Sequence, residues 1–172
     1  MKPAIFALVA MLALPALALA QQGTATVEVG FSPGPTAENL VLATIRSAHS
    51  EILCAIYDFT SRAIARALLR EVRKGVRVSI VADAREAATR YSDLRALARE
   101  GVAVRLDDRY AAMHDKFLVV DNRTTETGSF NFSYSAYRRN AENVIVVRDD
   151  PQVAAAYASQ WRMLWEQSTP LR

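Results

Sequence analysis

His114 and Lys116 lie two residues apart in the stretch MHDKFLVVD, residues 113–121. In extended backbone successive side chains alternate, so this pair projects to one side with Cα atoms roughly 6–7 Å apart. An imidazole placed there can attack phosphorus or carry a proton near neutral pH, and an ammonium beside it can hold the nonbridging oxygens of a phosphate. Leu118 and Val120 share that parity and continue the face into a core, which would anchor the pair on a rigid strand. Asp121 has the opposite parity, which assigns it to holding a loop or a neighbouring strand rather than touching the imidazole.

A second polar cluster follows in TGSFNFSYS, residues 127–135. Gly128 permits a close turn, Ser129 offers a hydroxyl and an accessible amide, and Asn131 offers two carboxamide donors. A helical turn starting about Asn131 would add free amides with anion affinity. A simple capping loop has the same composition, so the cluster gains meaning only beside His114. Farther on, Glu142 could accept a hydrogen bond from His114 and support an imidazolium, while Asn140 could help close a phosphate pocket. The other histidine, His49, sits in SAHSE at an expected helix end, where exposure or capping explains it. Two dispersed histidines and one cysteine form no soft-ligand cluster. Asp107 and Asp108 are adjacent and so point to opposite strand faces, a poor two-metal clamp. The expected chemistry therefore uses no metal and no cofactor.

The elements that must position these groups read as an alternation. TATVEVGFSP reads as a strand ending at Pro33-Gly34-Pro35, and residues 38–48 as a helix. EILCAIYDF is a strand, residues 61–74 a helix closed by Gly75, and VRVSIVAD a strand. A helix within residues 87–100 ends at Gly101, and VAVRLDD follows as the next strand. Strands alternating with helices argue right-handed crossovers, and the continuous apolar runs suit a sheet covered on both faces. The rhythm then changes to a hairpin, HDKFLVVD with TETGSF, followed by the strand AENVIVV and a closing helix over residues 151–166. The expected fold is α/β: a mixed, mostly parallel central sheet between helices, in one layered domain over residues 21–172.

Composition sets the compartment more than the chemistry. The chain has 172 residues, enough for one domain with a sizeable core. Residues 1–20 place Lys2 before an apolar run that ends Ala18-Leu19-Ala20, the order of an export signal cleaved near Ala20. Pro15 interrupts that run, which speaks against a membrane anchor. The single cysteine, Cys54, lies in an apolar strand and reads as a core thiol. A net charge of +3 permits a polyanionic partner without demanding one. Arg62, Arg66, Arg70 and Arg73 fall within about 80° on one helix face, which reads as a solvated face unless it lines a cleft.

HDKFLVVD is the pattern H-x-K-x-x-x-x-D. With GSFN about a dozen residues later and the continuation through NAENVIVV, the chain resembles the phospholipase D superfamily. It is most similar to the small exported bacterial endonucleases that carry one motif per chain. The resemblance implies His114, Lys116 and Glu142 as catalytic residues, and Lys116, Ser129 and Asn131 as phosphate contacts, to which the reading of the residues themselves adds Asn140. It gives Asp121 a structural part, beside the one that the close turn already assigns to Gly128. A single motif implies a homodimer that completes the active site. The expected function is that of a metal-independent phosphodiester hydrolase, a sequence-nonspecific endonuclease working through a phosphohistidine. Its expected place is periplasmic or secreted, with no stable membrane insertion after signal cleavage. A phosphatidyl-lipid hydrolase is the enzymatic alternative, for which Phe130, Phe132, Tyr134 and Tyr137 would form an apolar rim. A catalytically silent nucleic-acid-binding module is the alternative of another class. Turnover separates it from the enzymes.

Overall fold

The computed structural model describes residues 24–171; the expected export signal over residues 1–20 lies outside them. The strands are β1 Thr26–Ser32, β2 Glu51–Ile56, β3 Arg77–Asp83, β4 Ala103–Asp107, β5 Phe117–Val120, β6 Thr124–Gly128, β7 Glu142–Arg148 and β8 Thr169–Pro170. The helices are α1 Pro35–Arg46, α2 Arg62–Arg73, α3 Ala84–Ala87, α4 Leu94–Arg99, α5 Tyr134–Arg138 and α6 Pro151–Gln167. All eight strands join one sheet in the order β1-β7-β6-β5-β2-β3-β4-β8.

That order corrects the expectation of a mostly parallel sheet. Only β2–β3 and β3–β4 pair parallel, whereas the other five neighbouring pairs are antiparallel. Two crossovers can generate only two parallel pairs. The hairpin β5–β6 then brings antiparallel neighbours, because β5 inserts beside β2 rather than extending the crossover series. β1 does not start the parallel run either; it pairs with β7 at the far edge.

Each face of the sheet buries its own core. Alternation sends Ile52, Cys54, Ile80, Leu118 and Val120 toward Val41 and Ile45 of α1 and Ile64 and Leu68 of α2. Leu53, Ala55, Val81, Phe117 and Val119 face Trp161 and Leu164 of α6. Trp161 fixes that helix on the sheet, its Nε1 donating to the Cys54 carbonyl at 2.8 Å. Cys54 itself is a buried free thiol. In α2 the apolar stripe faces inward and the four arginines outward, and Ser61 Oγ accepts from the Ile64 amide as the N-cap. The helix expected within residues 87–100 forms as the shorter α4, Leu94–Arg99. α3 stops at Ala87, and the Asp93 amide donates to the Phe59 carbonyl at 3.1 Å, drawing the intervening segment over the loop after β2. Among the described residues, no helix is long and apolar enough to cross a membrane.

Candidate active site

β2, β3, β4 and β6 finish at one end of the sheet, where β5 and β7 begin. His114 and Lys116 stand at this end, in extended chain just ahead of β5, which starts only at Phe117. The segment is pinned from both sides. The Met113 amide donates to Asp83 Oδ2 at 2.9 Å, and the other oxygen of that buried carboxylate caps α3 through the Arg85 and Glu86 amides. On the far side Thr127 Oγ1 donates to the Lys116 carbonyl at 3.2 Å.

His114 and Lys116 meet at one ring. Tyr57, the residue after β2, packs its ring 4.6 Å from the His114 imidazole, centroid to centroid, and the Lys116 Nζ lies 5.2 Å from the same centroid. The Tyr57 hydroxyl donates to Glu86 Oε1 at 3.0 Å. Lys116 is only 7% exposed, whereas His114 is open to solvent. Burial lowers the ammonium's pKa from its ordinary value, and the Glu142 and Asp115 carboxylates offset part of that. A half-dry cation with one hydrogen bond, to the His114 carbonyl at 2.7 Å, is suited to gripping an arriving phosphate. Both residues line a cleft of about 370 Å³ with Thr127, Gly128, Tyr157 and Gln160.

The other candidates take different places. A side chain at Gly128 would run into the Asn143 carbonyl, and its φ of 155° suits glycine. That close approach lets Ser129 and Asn143 latch the exit of β6 to the entry of β7. The Ser129 amide donates to the Asn143 carbonyl at 3.1 Å, and the Asn143 amide donates to Ser129 Oγ at 3.1 Å. Asn131 keeps a buried Oδ1 with no hydrogen-bond partner among the described residues. Glu142 reaches Lys116 electrostatically, but its hydrogen bond is with Asn140 Nδ2 at 2.8 Å rather than with the imidazole. Ser129, Asn131, Asn140 and Glu142 are not among the residues that line the cleft.

Asp121 sits at the other end of β5. Its carboxylate accepts from the His49, Ser50 and Glu51 amides and the Ser50 hydroxyl, at 2.7–2.9 Å. Burial alone would push this carboxyl up; the hydrogen bonds outweigh it and hold the pKa at about 2. Asp121 thus ties the hairpin to the α1–β2 turn, and its φ of 51° is one that aspartate tolerates.

Sequence reasoning passes over Tyr57, Asp83, Glu86, Thr127, Tyr157 and Gln160. For Tyr57 and Asp83 one signal is available: each closes a strand of the crossover unit, and open α/β sheets bind ligands beyond the carboxyl ends of such strands. Phe130 and Phe132, expected as rim groups of a lipid site, are buried in the core. No group of three or more His, Cys, Asp or Glu among the described residues is placed to hold a metal ion.

Comparison with known proteins gives this arrangement a lineage. The family model described as cardiolipin synthase, PLD-like domain, matches residues 41–165. The mitochondrial cardiolipin hydrolase of Xenopus laevis is 35% identical over 130 residues, 76% of this chain and 61% of that protein. The chain therefore spans about three-fifths of that relative's length. Among solved structures, the phospholipase D family member Nuc from Salmonella typhimurium superposes with a TM-score of 0.84 at 38% identity, covering 86% of this chain and 99% of that one. NucT from Helicobacter pylori shares the fold, with a TM-score of 0.79 at 24% identity over 86% of this chain and 99% of that one.

Proposed function

Because the chain belongs to the phospholipase D superfamily, we propose that it hydrolyses phosphodiesters, as a sequence-nonspecific endonuclease whose active site is shared by two copies. One observation carries the reading: His114 and Lys116 converge on Tyr57 at the mouth of a cleft, and among the described residues this is the only imidazole at that end of the sheet. His49 lies with Asp121, seven residues of extended chain away, roughly 20 Å. A reaction that uses one imidazole as nucleophile and a second as proton donor then draws the second from another copy.

In this scheme one His114 attacks phosphorus, forming a P–N bond as the P–O bond to the leaving group breaks. The second His114, protonated, gives its proton to the departing oxygen. Water, deprotonated by that now neutral imidazole, then breaks the P–N bond and restores both histidines. The paired Lys116 ammoniums hold the nonbridging oxygens throughout. Ser129, Asn131 and Asn140 add phosphate donors as the two copies close; Glu142, freed as Asn140 turns from it to the phosphate, then accepts from the imidazole and keeps Lys116 charged. No step calls on a metal.

A surface for the second copy adjoins the cleft. Val27, Val29 and Phe31 of β1 are 59–61% exposed. Register places them on the same sheet face as Thr127 and Phe117, with Ile145 and Val147 between. α6 covers this face over β5 and β6 and leaves the β7–β1 edge bare. The expected export of residues 1–20 and a periplasmic or secreted location complete the reading, which the mass of the processed N-terminus tests.

Hydrolysis of phosphatidyl lipids is the second reading. It is favoured by the relative named as a cardiolipin hydrolase and by the same apolar strip. The deciding assay offers plasmid DNA, RNA and phosphatidylcholine side by side, with EDTA, to wild type and His114→Ala. Cleavage of nucleic acid in chelator, lost by at least ~10²–10⁴ in the variant, is the expected result. Turnover of lipid alone, or near-normal turnover by a folded His114→Ala protein, overturns the proposal.

A further inference from the structure

Through Glu86, Tyr57 links the His114 cleft to a second, larger one. Its ring faces His114 on one side, and its hydroxyl reaches Glu86, which lines an opening of about 750 Å³ on the other. The loops after β2 and β3 and the start of α5 enclose this opening. Its polar groups are layered. Arg62, Arg90 and Arg139 are exposed at the rim, as are Tyr91 and Tyr134, which keep 65% and 64% of their surface open to solvent. Asp58, Glu86 and Asp93 are half-buried at the floor, among serine and threonine hydroxyls. The Arg90 guanidinium lies 4.6 Å from the Tyr91 ring centroid, which gives a flat cationic and aromatic platform.

A cleft built for phosphate alone would not set three carboxylates against three arginines. The mixture fits a ligand with an anionic backbone, flat faces and unpaired hydrogen-bond donors. Exposed aromatic rings stack on any base, arginines follow phosphates, and carboxylates accept from exocyclic amines on base edges. Unpaired nucleotides offer all three. A duplex hides its base faces in the stack and its pairing edges in the partner strand, so it can engage only the arginines.

We propose that this cleft seats unpaired bases of the strand whose scissile phosphate lies at His114, with Tyr91 and Tyr134 as stacking platforms, so that the enzyme acts on single strands in preference to duplex. The inference rests on the nuclease reading and adds a strand preference to it. Arg62 is then the one arginine of the α2 stripe that faces this cleft, while Arg66, Arg70 and Arg73 remain a solvated face.

The test uses the full-length mature protein, with labelled single-stranded and hairpin-duplex oligonucleotides of the same sequence. Binding is measured in a His114→Ala background, with and without Tyr91→Ala and Tyr134→Ala together. The single strand should bind at least tenfold more tightly than the duplex. The tyrosine pair should weaken it by about tenfold or more per stacked base while leaving duplex binding unchanged. In active protein the same tyrosine pair should leave turnover of bis(p-nitrophenyl) phosphate intact, because that small diester engages only the His114 cleft; this also certifies the fold. Equal loss for single strand and duplex, or none for either, overturns the cleft's role and leaves the nuclease reading standing. If neither nucleic acid is bound or cleaved while phosphatidylglycerol vesicles are hydrolysed, the nuclease reading fails and the inference with it.

Discussion

Glu126 carries a carboxyl group into the dry interior of the sheet. It lies on β6 between Leu118 and Val146, 2% exposed, with Oε2 lacking a partner among the described residues. Burial pushes its pKa from 4.5 to about 8. The folded chain therefore keeps this proton where the unfolded chain releases it. Stability contributed by the protonated form is complete below pH 4.5 and is lost as pH rises toward 8, at about 1.4 kcal/mol per pH unit. By pH 7 about 3 kcal/mol is gone, a large part of the roughly 5–15 kcal/mol that holds a typical domain folded. The test is urea denaturation of wild type and Glu126→Gln at about pH 5 and about pH 8.5, which bracket most of that loss. The amide also lacks partners, so its constant offset is uninformative. The stability difference should shift by roughly 3–4 kcal/mol in favour of the Glu126→Gln variant from the acid to the alkaline end. Titration of other carboxylates cancels in that difference. A gap that stays constant with pH would refute a neutral buried acid.

Tyr57 acts as a positioning residue for His114 and Lys116. On a small diester, Tyr57→Ala should lower kcat about tenfold or more with little change in KM, and Tyr57→Phe, which keeps the ring and loses only the Glu86 bond, should fall less. Equal kcat in all three proteins contradicts that role. Asp121→Ala removes four hydrogen bonds and should destabilise by roughly 2–4 kcal/mol at neutral pH. Because the folded pKa is held at about 2, below 3.8, this stability is present above pH 3.8 and lost as pH falls toward 2. Urea midpoints should therefore converge at acid pH, and an undiminished gap there speaks against the charged latch.

Features that depend on local period and spacing are legible in the residues alone. The parity of His114, Lys116, Leu118 and Val120 is a property of extended chain, so the pair converges on Tyr57 although β5 begins only at Phe117. The apolar stripe of α2 and the stop at Gly75 are equally local. Strand neighbours are not. β1 pairs with β7 more than a hundred residues away, and two-residue β8 carries no pattern at all, so alternation with helices points to a parallel sheet that does not form. Tyr57 is hidden for the same reason. Its partners Glu86, His114 and Lys116 come from two other segments, and only the assembled sheet makes them neighbours.

The claim on which the mechanism turns is that one phosphodiester needs His114 from two chains. Wild-type and His114→Ala chains, mixed in equal amounts and exchanged to equilibrium, decide it through nuclease turnover. If both imidazoles serve one site, only dimers with two wild-type chains work, and about one quarter of the activity per dimer remains. If each chain acts alone, about half remains, and the shared site is wrong.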